Sequence, residues 1–280
     1  MHSVFDKAIN IGDARGELFT LASRGVGNGP NTLVVDGMGF GATDIAAGDA
    51  VNGDGRALDV GSRLTVLLAN AQTWVGAVLI YPGSDDPVPA NVEYLRGILD
   101  QHGRPGGMVE EGGRTGDFAR VVTALLKDRA ALLVDALQRA DFHGAGRHAR
   151  SMIGLGPGLT PSGDDFLVGL LAVLHVADHP CRAWLVPVAA AIAQAGTSTN
   201  DISFAALSMA AVGRVREAIT ALVGDVMHGT RQGVAEAAHR VLAIGSTSGT
   251  DVVTGVLAAF ESLVSIGSIP GLAFKSSARR

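Results

Sequence analysis

The sequence predicts an α+β protein, in which an N-terminal β-rich barrel or sandwich precedes a mostly helical C-terminal domain. Three observations predict it: short β-branched segments before residue 82, a proline-rich segment at 82–90, and apolar residues at helical spacing thereafter. We place the β-rich domain at residues 1–85 and the helical domain, which carries the glycine-rich motifs, at residues 86–280. A chain of 280 residues is long enough to bury a substantial core in either domain.

The β-rich prediction rests on residues 16–81, where β-branched segments alternate with glycine, asparagine and aspartate clusters. Strands are predicted in ELFTLAS, NTLVVDG, GDAVNGDGRALDVG, RLTVLLA and TWVGAVLIY. Because no long helical pattern separates these segments, a small barrel or sandwich is favoured over a parallel sheet.

After residue 90 the apolar residues recur every three or four positions, which is typical of amphipathic helices. This spacing predicts helices over residues 118–140, 166–175, 183–195, 204–223, 233–244 and 252–264. Within 204–223 one apolar stripe runs from Phe204 to Leu222, and we expect it to face the core.

Composition excludes several classes of function. The net charge of -5 and the scattered arginines disfavour a nucleic-acid partner. We find neither a signal peptide nor an apolar run of the length that a membrane span requires. The single cysteine, Cys181, cannot form an internal disulfide, so we expect a cytoplasmic protein. With 38 glycines and only 5% aromatic residues, binding is expected through backbone groups, hydroxyls and carboxylates.

The main candidate for a functional site is GLGPGLTPSGDD, residues 154–165, ahead of a predicted helix. A capping box needs only Ser162 and Asp165, so the additional glycines require another explanation. Alternating glycines allow backbone amides to face a bound group, and the N-terminus of the following helix favours negative charge. The candidate anion-binding or substrate-binding residues of this motif are Gly154, Gly156, Gly158, Thr160, Ser162 and Gly163.

A second motif repeats the first in the same register. Ser248, Gly249 and Asp251 align with Ser162, Gly163 and Asp165, and Gly255 aligns with Gly169. We predict that the two turns pair in space and that Ser248 and Gly249 also bind the ligand. The alternative explanation is structural: two capping boxes, with glycines that allow two helices to approach closely.

The carboxylates Asp164, Asp165 and Asp251 are the candidate catalytic residues. These carboxylates would repel an anion that the backbone amides attract. The ligand should therefore carry a carboxylate or carbonyl end for the amides and N–H groups for the aspartates. Alternatively, a Mg²⁺ ion lies between the carboxylates and a bound phosphate. The P-loop and dinucleotide fingerprints are missing. No protein metal site is predicted and no cofactor is required, although Mg²⁺ is left open.

Three segments together resemble the AllH-like family. They are residues 154–171, residues 243–257, and Thr199 with Ser203, Leu207, Ala210 and Gly213 between them. The resemblance implies a subunit of an oxamate carbamoyltransferase that works with AllF-like and AllG-like partner subunits. It implies phosphorolysis of oxalurate, or a related ureido acid, by phosphate to give carbamoyl phosphate during purine catabolism.

Two alternatives stay open at this point. The chain is a non-catalytic regulatory or scaffolding subunit if its glycine turns only shape a helix interface. It is a metal-dependent kinase or amidohydrolase of a small acid if Asp164, Asp165 and Asp251 together hold a metal ion.

Overall fold

The computed structural model describes residues 1–37, 39–83, 87–110 and 117–267. The chain forms two compact units, Met1–Ala77 with Arg216–Ala218, and Val78–Val215 with Ile219–Arg280. The predicted domain boundary between residues 85 and 86 lies outside the described residues. None of the helices in the described ranges has the length and apolarity needed to cross a membrane.

The first unit contains two separate sheets, so the α+β prediction is confirmed, with open sheets rather than a closed barrel. The first sheet has the order β1-β2-β3-β4 and is antiparallel except for the parallel pair β3–β4; the second, β5-β6-β7, is antiparallel. The strands are β1 (Ser3–Val4), β2 (Ala8–Gly12), β3 (Leu18–Ser23), β4 (Thr32–Val35), β5 (Val51–Gly53), β6 (Ala57–Val60) and β7 (Leu64–Leu67).

Apolar residues from both sheets share one core in this unit. Ile9 and Leu21 lie opposite each other on β2 and β3, and they join Val60 and Val66 of the second sheet in a single buried cluster. The turn between β5 and β6 forms because Asp54 accepts hydrogen bonds from the N–H groups of Arg56 and Ala57 at 2.8 and 2.9 Å.

The strand predicted at residues 73–81 is wrong. This segment is irregular, with one isolated bridge from Ile80 to Ala177, and Val75 and Val78 are 80% and 84% exposed. β-branched residues favour a strand chiefly where the segment pairs with a neighbouring strand and buries one face. Among the described residues, this segment has only the single bridge and no buried face.

The second unit is helical, as predicted. Its helices are α1 (Val88–His102), α2 (Asp117–Gln138), α3 (Phe142–Met152), α4 (Ser162–Leu174), α5 (Leu185–Ala193), α6 (Asp201–Ala210), α7 (Glu217–His228, which begins in the first unit), α8 (Arg231–Leu242) and α9 (Ser248–Gly267). The sequence patterns did not predict α1 or α3. Helix α1 has Pro89 in its first turn. Helix α3 is glycine-rich, and Asp141 caps it by accepting a hydrogen bond from the Gly144 N–H.

The single helix predicted over 204–223 is also wrong, because the chain leaves the helix at Ala210 and re-enters at Glu217. Gly213 has a φ of +79°, and its N–H donates to the Ala210 carbonyl, which ends α6. The expected core stripe is therefore divided between two helices, and Val212, which lies between them, is 63% exposed.

Helices α4 and α9 form the centre of this unit and share the most extensive contact among the described elements. A side-chain carbon at Gly169 of α4 would overlap the Val252 carbonyl of α9, and one at Gly255 would overlap the Phe166 carbonyl. The structural explanation of this glycine pair is confirmed: both glycines allow two helix backbones to touch.

Candidate functional site

The contact between α4 and α9 brings the two glycine-rich motifs together. Thr160 Oγ1 lies 2.7 Å from Ser248 Oγ, although 88 residues separate them in sequence. The N-terminal ends of both helices therefore lie side by side, and their positive dipole ends act on the same small volume.

The two serines face the aspartate of the opposite helix. Pro161 is the N-cap of α4 and no side-chain cap is formed there, so the capping-box explanation is wrong for Ser162. Instead, Ser162 lies close enough to Asp251 to lower its pKa, and Ser248 does the same for Asp165. Ser162 Oγ has no hydrogen-bond partner among the described residues, so the hydrogen bond that joins the two motifs is the one between Thr160 and Ser248.

Asp165 is the most accessible of the three carboxylates, since it is half-buried whereas Asp164 and Asp251 are buried. Thr160 Oγ1 donates to Asp165 Oδ2 at 2.8 Å. Burial raises the pKa of Asp165 to about 7; the hydroxyls of Thr160 and Ser248 act against this, and the negative charges of Asp251 and Asp164 add to it. Both protonation states of Asp165 are accordingly accessible near neutral pH.

Asp251 has no exposed surface, and its charge acts on Asp165. The Met108 N–H donates to its Oδ1 at 2.7 Å, while its Oδ2 has no hydrogen-bond partner among the described residues. Burial raises its pKa to about 6, although the Met108 N–H, Ser162 and Thr247 lower it. The Asp251 carboxyl therefore lies near Asp165 and has a similar pKa.

Both carboxylate oxygens of Asp164 are occupied by protein donors. Oδ1 accepts from the Gly154 N–H at 2.8 Å, and Oδ2 accepts from Thr199 Oγ1 at 2.5 Å. Burial raises the pKa of Asp164, and these two hydrogen bonds oppose that effect. Asp164 thus links the glycine-rich loop to the segment before α6, and its catalytic role stays a prediction.

The three loop glycines adopt conformations that other residues rarely reach. Gly154, Gly156 and Gly158 have φ values of +77°, +117° and +99°. A side-chain carbon at Gly154 would also overlap the Ser198 carbonyl. Among the described residues, the N–H groups of Gly156 and Gly158 have no protein acceptor, which leaves them available to a ligand.

Gly163 and Gly249 have a different local role. A side-chain carbon at either one would overlap a carbonyl of the preceding helix, Met152 for Gly163 and Val241 for Gly249. These glycines let α4 and α9 begin directly against α3 and α8, so packing explains them, and their role in binding stays a prediction.

Sequence patterns missed two further segments of the site. Asn200 caps α6 through its Oδ1, and its Nδ2 donates to the Leu159 carbonyl at 2.7 Å, which ties the loop before α6 to the glycine-rich loop. Met108 lies in the connection between α1 and α2. Asn200 carries a recognisable capping signal, whereas nothing in the sequence near Met108 indicates its contact with Asp251.

Within the described ranges, no three His, Cys, Asp or Glu side chains form a group that could hold a metal ion. His175 and His179, which are four residues apart, are directed to other partners: the His175 Nε2 contacts the Ala211 carbonyl, and His179 packs edge-on against Tyr81.

Cys181 is expected to be unreactive in the folded protein. Burial raises its pKa to about 12 and lowers the pKa of the neighbouring His179 to about 4, the reverse of what a cysteine–histidine nucleophile requires. Titration with a chromogenic disulfide reagent at pH 8 should label no thiol in native protein and one thiol after denaturation. Rapid labelling of native protein would contradict this expectation.

Comparison with known protein families assigns both units. The model described as oxamate carbamoyltransferase subunit AllH matches residues 152–260, and the model of the AllH family N-terminal domain matches residues 1–73. No solved structure matches the chain. The first match begins just ahead of the glycine-rich loop and extends into α9, so it includes both motifs of the site. The chain therefore belongs to the AllH family, which is described as an oxamate carbamoyltransferase subunit.

Proposed function

We propose that this chain is the subunit that carries acid–base chemistry in phosphorolysis of oxalurate, or of a related ureido acid, to carbamoyl phosphate. The observation that carries the proposal is the half-buried Asp165 at the joined N-termini of α4 and α9, with a pKa of about 7 and two hydroxyls beside it. Catalytic acids work best when their pKa lies near the operating pH.

The proposed substrate has two kinds of group, and the site offers a partner for each. The carboxylate and carbonyl oxygens of a ureido acid suit the unpaired N–H groups of Gly156 and Gly158. Its ureido nitrogen suits Asp165, with Thr160 and Ser248 fixing the carboxyl in position. Phosphate is favoured by the two helix dipoles.

In the proposed step, a phosphate oxygen attacks the carbamoyl carbon, and the bond from that carbon to the bridging nitrogen breaks. Protonated Asp165 donates its proton to the departing nitrogen, which leaves as the amide of oxamate. Asp165 then recovers a proton from the hydroxyl of the transferred phosphate, so that protons balance over the cycle. Burial keeps the pKa of Asp165 high and the charge of Asp251 adds to this effect, while Asp164 holds the loop that binds the substrate.

The test is reconstitution of the chain with its AllF-like and AllG-like partners. Carbamoyl phosphate formed from oxalurate and phosphate is measured with and without this chain, and related ureido acids are assayed in parallel. We expect formation to require the chain. Undiminished formation in its absence would overturn the proposal.

The proposal extends to the setting of the reaction. Assembly with AllF-like and AllG-like subunits, a place in purine catabolism, a cytoplasmic location and any use of Mg²⁺ stay predictions. The family description supports the first of these, since it calls the protein a subunit.

A further inference from the structure

We propose that Thr123 of α2 is a positioning residue, which fixes the peptide between Gly107 and Met108 so that its N–H points at the Asp251 carboxylate. The inference rests on the proposed function, in which Asp251 is the charge behind the catalytic acid. It adds a residue from a third helix, outside both glycine-rich motifs.

A single peptide plane connects Thr123 to Asp251. Thr123 Oγ1 donates to the Gly107 carbonyl at 2.9 Å, and the N–H of the same peptide, on Met108, donates to Asp251 Oδ1 at 2.7 Å. Because the peptide group is rigid and planar, fixing its carbonyl also fixes the direction of its N–H. Thr123 therefore acts on Asp251 without touching it.

The surroundings leave this peptide little freedom to take another orientation. Thr123 is only 3% exposed and Asp251 is fully buried, so water does not replace either hydrogen bond freely. A side-chain carbon at Gly107 would overlap both carboxylate oxygens of Asp251 and would lie 2.6 Å from Ser162 Oγ. The glycine is required because the backbone itself packs on the carboxylate.

The other groups around Asp251 are fixed by separate contacts. From α4 it faces Ser162 and the charge of Asp165, and Thr247 lies in the turn before α9. Arg104, from the same connection as Met108, directs its guanidinium to the carbonyls of Gly245 and Ser246. Helices α1, α2 and α8 also pack on α9. In the described part of the chain, none of their titratable groups shifts the pKa of Asp251.

The experiment is an NMR titration of the chain labelled with ¹³C at its aspartate carboxyls, with the Asp251 signal assigned by its loss in Asp251→Asn. In Thr123→Val the methyl group replaces the hydroxyl at nearly constant volume, so the peptide loses its anchor. A hydrogen bond to the charged form lowers an acid's pKa, so we expect the Asp251 midpoint to rise by roughly 0.5 to 1 pH unit. Thr123→Ser keeps the hydroxyl and should restore the wild-type midpoint.

Ser262→Ala is the matched control. It removes a buried hydroxyl that donates to the Ala258 carbonyl on α9 itself, away from the peptide, and it should leave the Asp251 midpoint unchanged. A folded Thr123→Val protein with a wild-type midpoint would overturn the inference. The Met108 amide shift in wild-type protein provides a second measurement that needs no variant: it should follow the Asp251 titration, and an amide shift independent of pH would also overturn it.

The titration is independent of turnover, so it separates this inference from the proposed function. In the reconstituted enzyme, Thr123→Val should additionally change the pH profile of kcat/KM, with Thr123→Ser restoring it. If no variant or wild-type assembly forms carbamoyl phosphate but the midpoint rises as expected, the proposed reaction fails and the positioning role of Thr123 stands.

Discussion

Asparagine at Asp165 is expected to lower kcat for carbamoyl phosphate formation by roughly 10²- to 10⁴-fold, the usual contribution of a positioned acid or base. The substitution keeps the size of the side chain and an acceptor for Thr160, but it removes the proton that the leaving nitrogen needs. The measurement is steady-state turnover by the reconstituted complex, with assembly checked by size-exclusion chromatography. Asp117→Asn, in the first turn of α2, is the matched control, because that side chain is 91% exposed and should not affect turnover.

The pH dependence provides a second test of Asp165. Since the proposed step needs the protonated carboxyl, wild-type turnover should fall as pH rises through about 7, and the asparagine variant should lack this limb. The free energy of unfolding should also fall as pH rises. The pKa of Asp165 is about 7 in the folded protein and 3.8 ordinarily, so its contribution to stability is fully present below about pH 4 and is lost as pH rises to 7. A fully assembled Asp165→Asn complex with wild-type turnover would instead favour a scaffolding subunit.

Alanine at Gly169 is expected to destabilise the helical unit by about 3 kcal/mol, at the upper end of overpacking effects. The added methyl group would overlap the Val252 carbonyl of α9, and backbone cannot rotate away as a side chain can. Because α4 and α9 hold both motifs, the loss should also reduce turnover. Thermal unfolding followed by circular dichroism at 222 nm should show a Tm lower by roughly 6–12 °C.

Gly97→Ala is the control for Gly169→Ala. Gly97 also lies within a helix, α1, but a side-chain carbon there would meet nothing within 4 Å. Helix propensity alone should therefore stabilise this variant by up to about 1 kcal/mol. If Gly169→Ala unfolded at or above the wild-type temperature, Gly169 would not be needed for the close contact between α4 and α9.

Local sequence patterns were reliable where local interactions decide the structure. The long apolar spacing predicted α2, because the period of the side chains within a few residues determines a helix. The same reasoning failed for residues 73–81, where partners for a strand were missing, and for 204–223, where the single left-handed Gly213 ends α6.

The sequence by itself determined which segments form the candidate site, Gly154 to Asp165 and Ser248 to Asp251, because their shared register and extra glycines are visible in the chain. Only the tertiary structure decided how the three aspartates are placed. The contact of α4 with α9 brings each serine close to the opposite carboxylate, leaves Asp165 partly exposed, and places Asp164 and Asp251 in the interior.

The physical reason is that a carboxyl's proton affinity depends on burial and on the groups within a few ångströms, and those groups come from distant parts of the chain. The N–H that contacts Asp251 belongs to Met108, and the hydroxyl that contacts Asp164 belongs to Thr199. The spacing of residues in the sequence does not indicate such contacts. The motif therefore identifies the carboxylates, whereas the packing of the helices determines their pKa values.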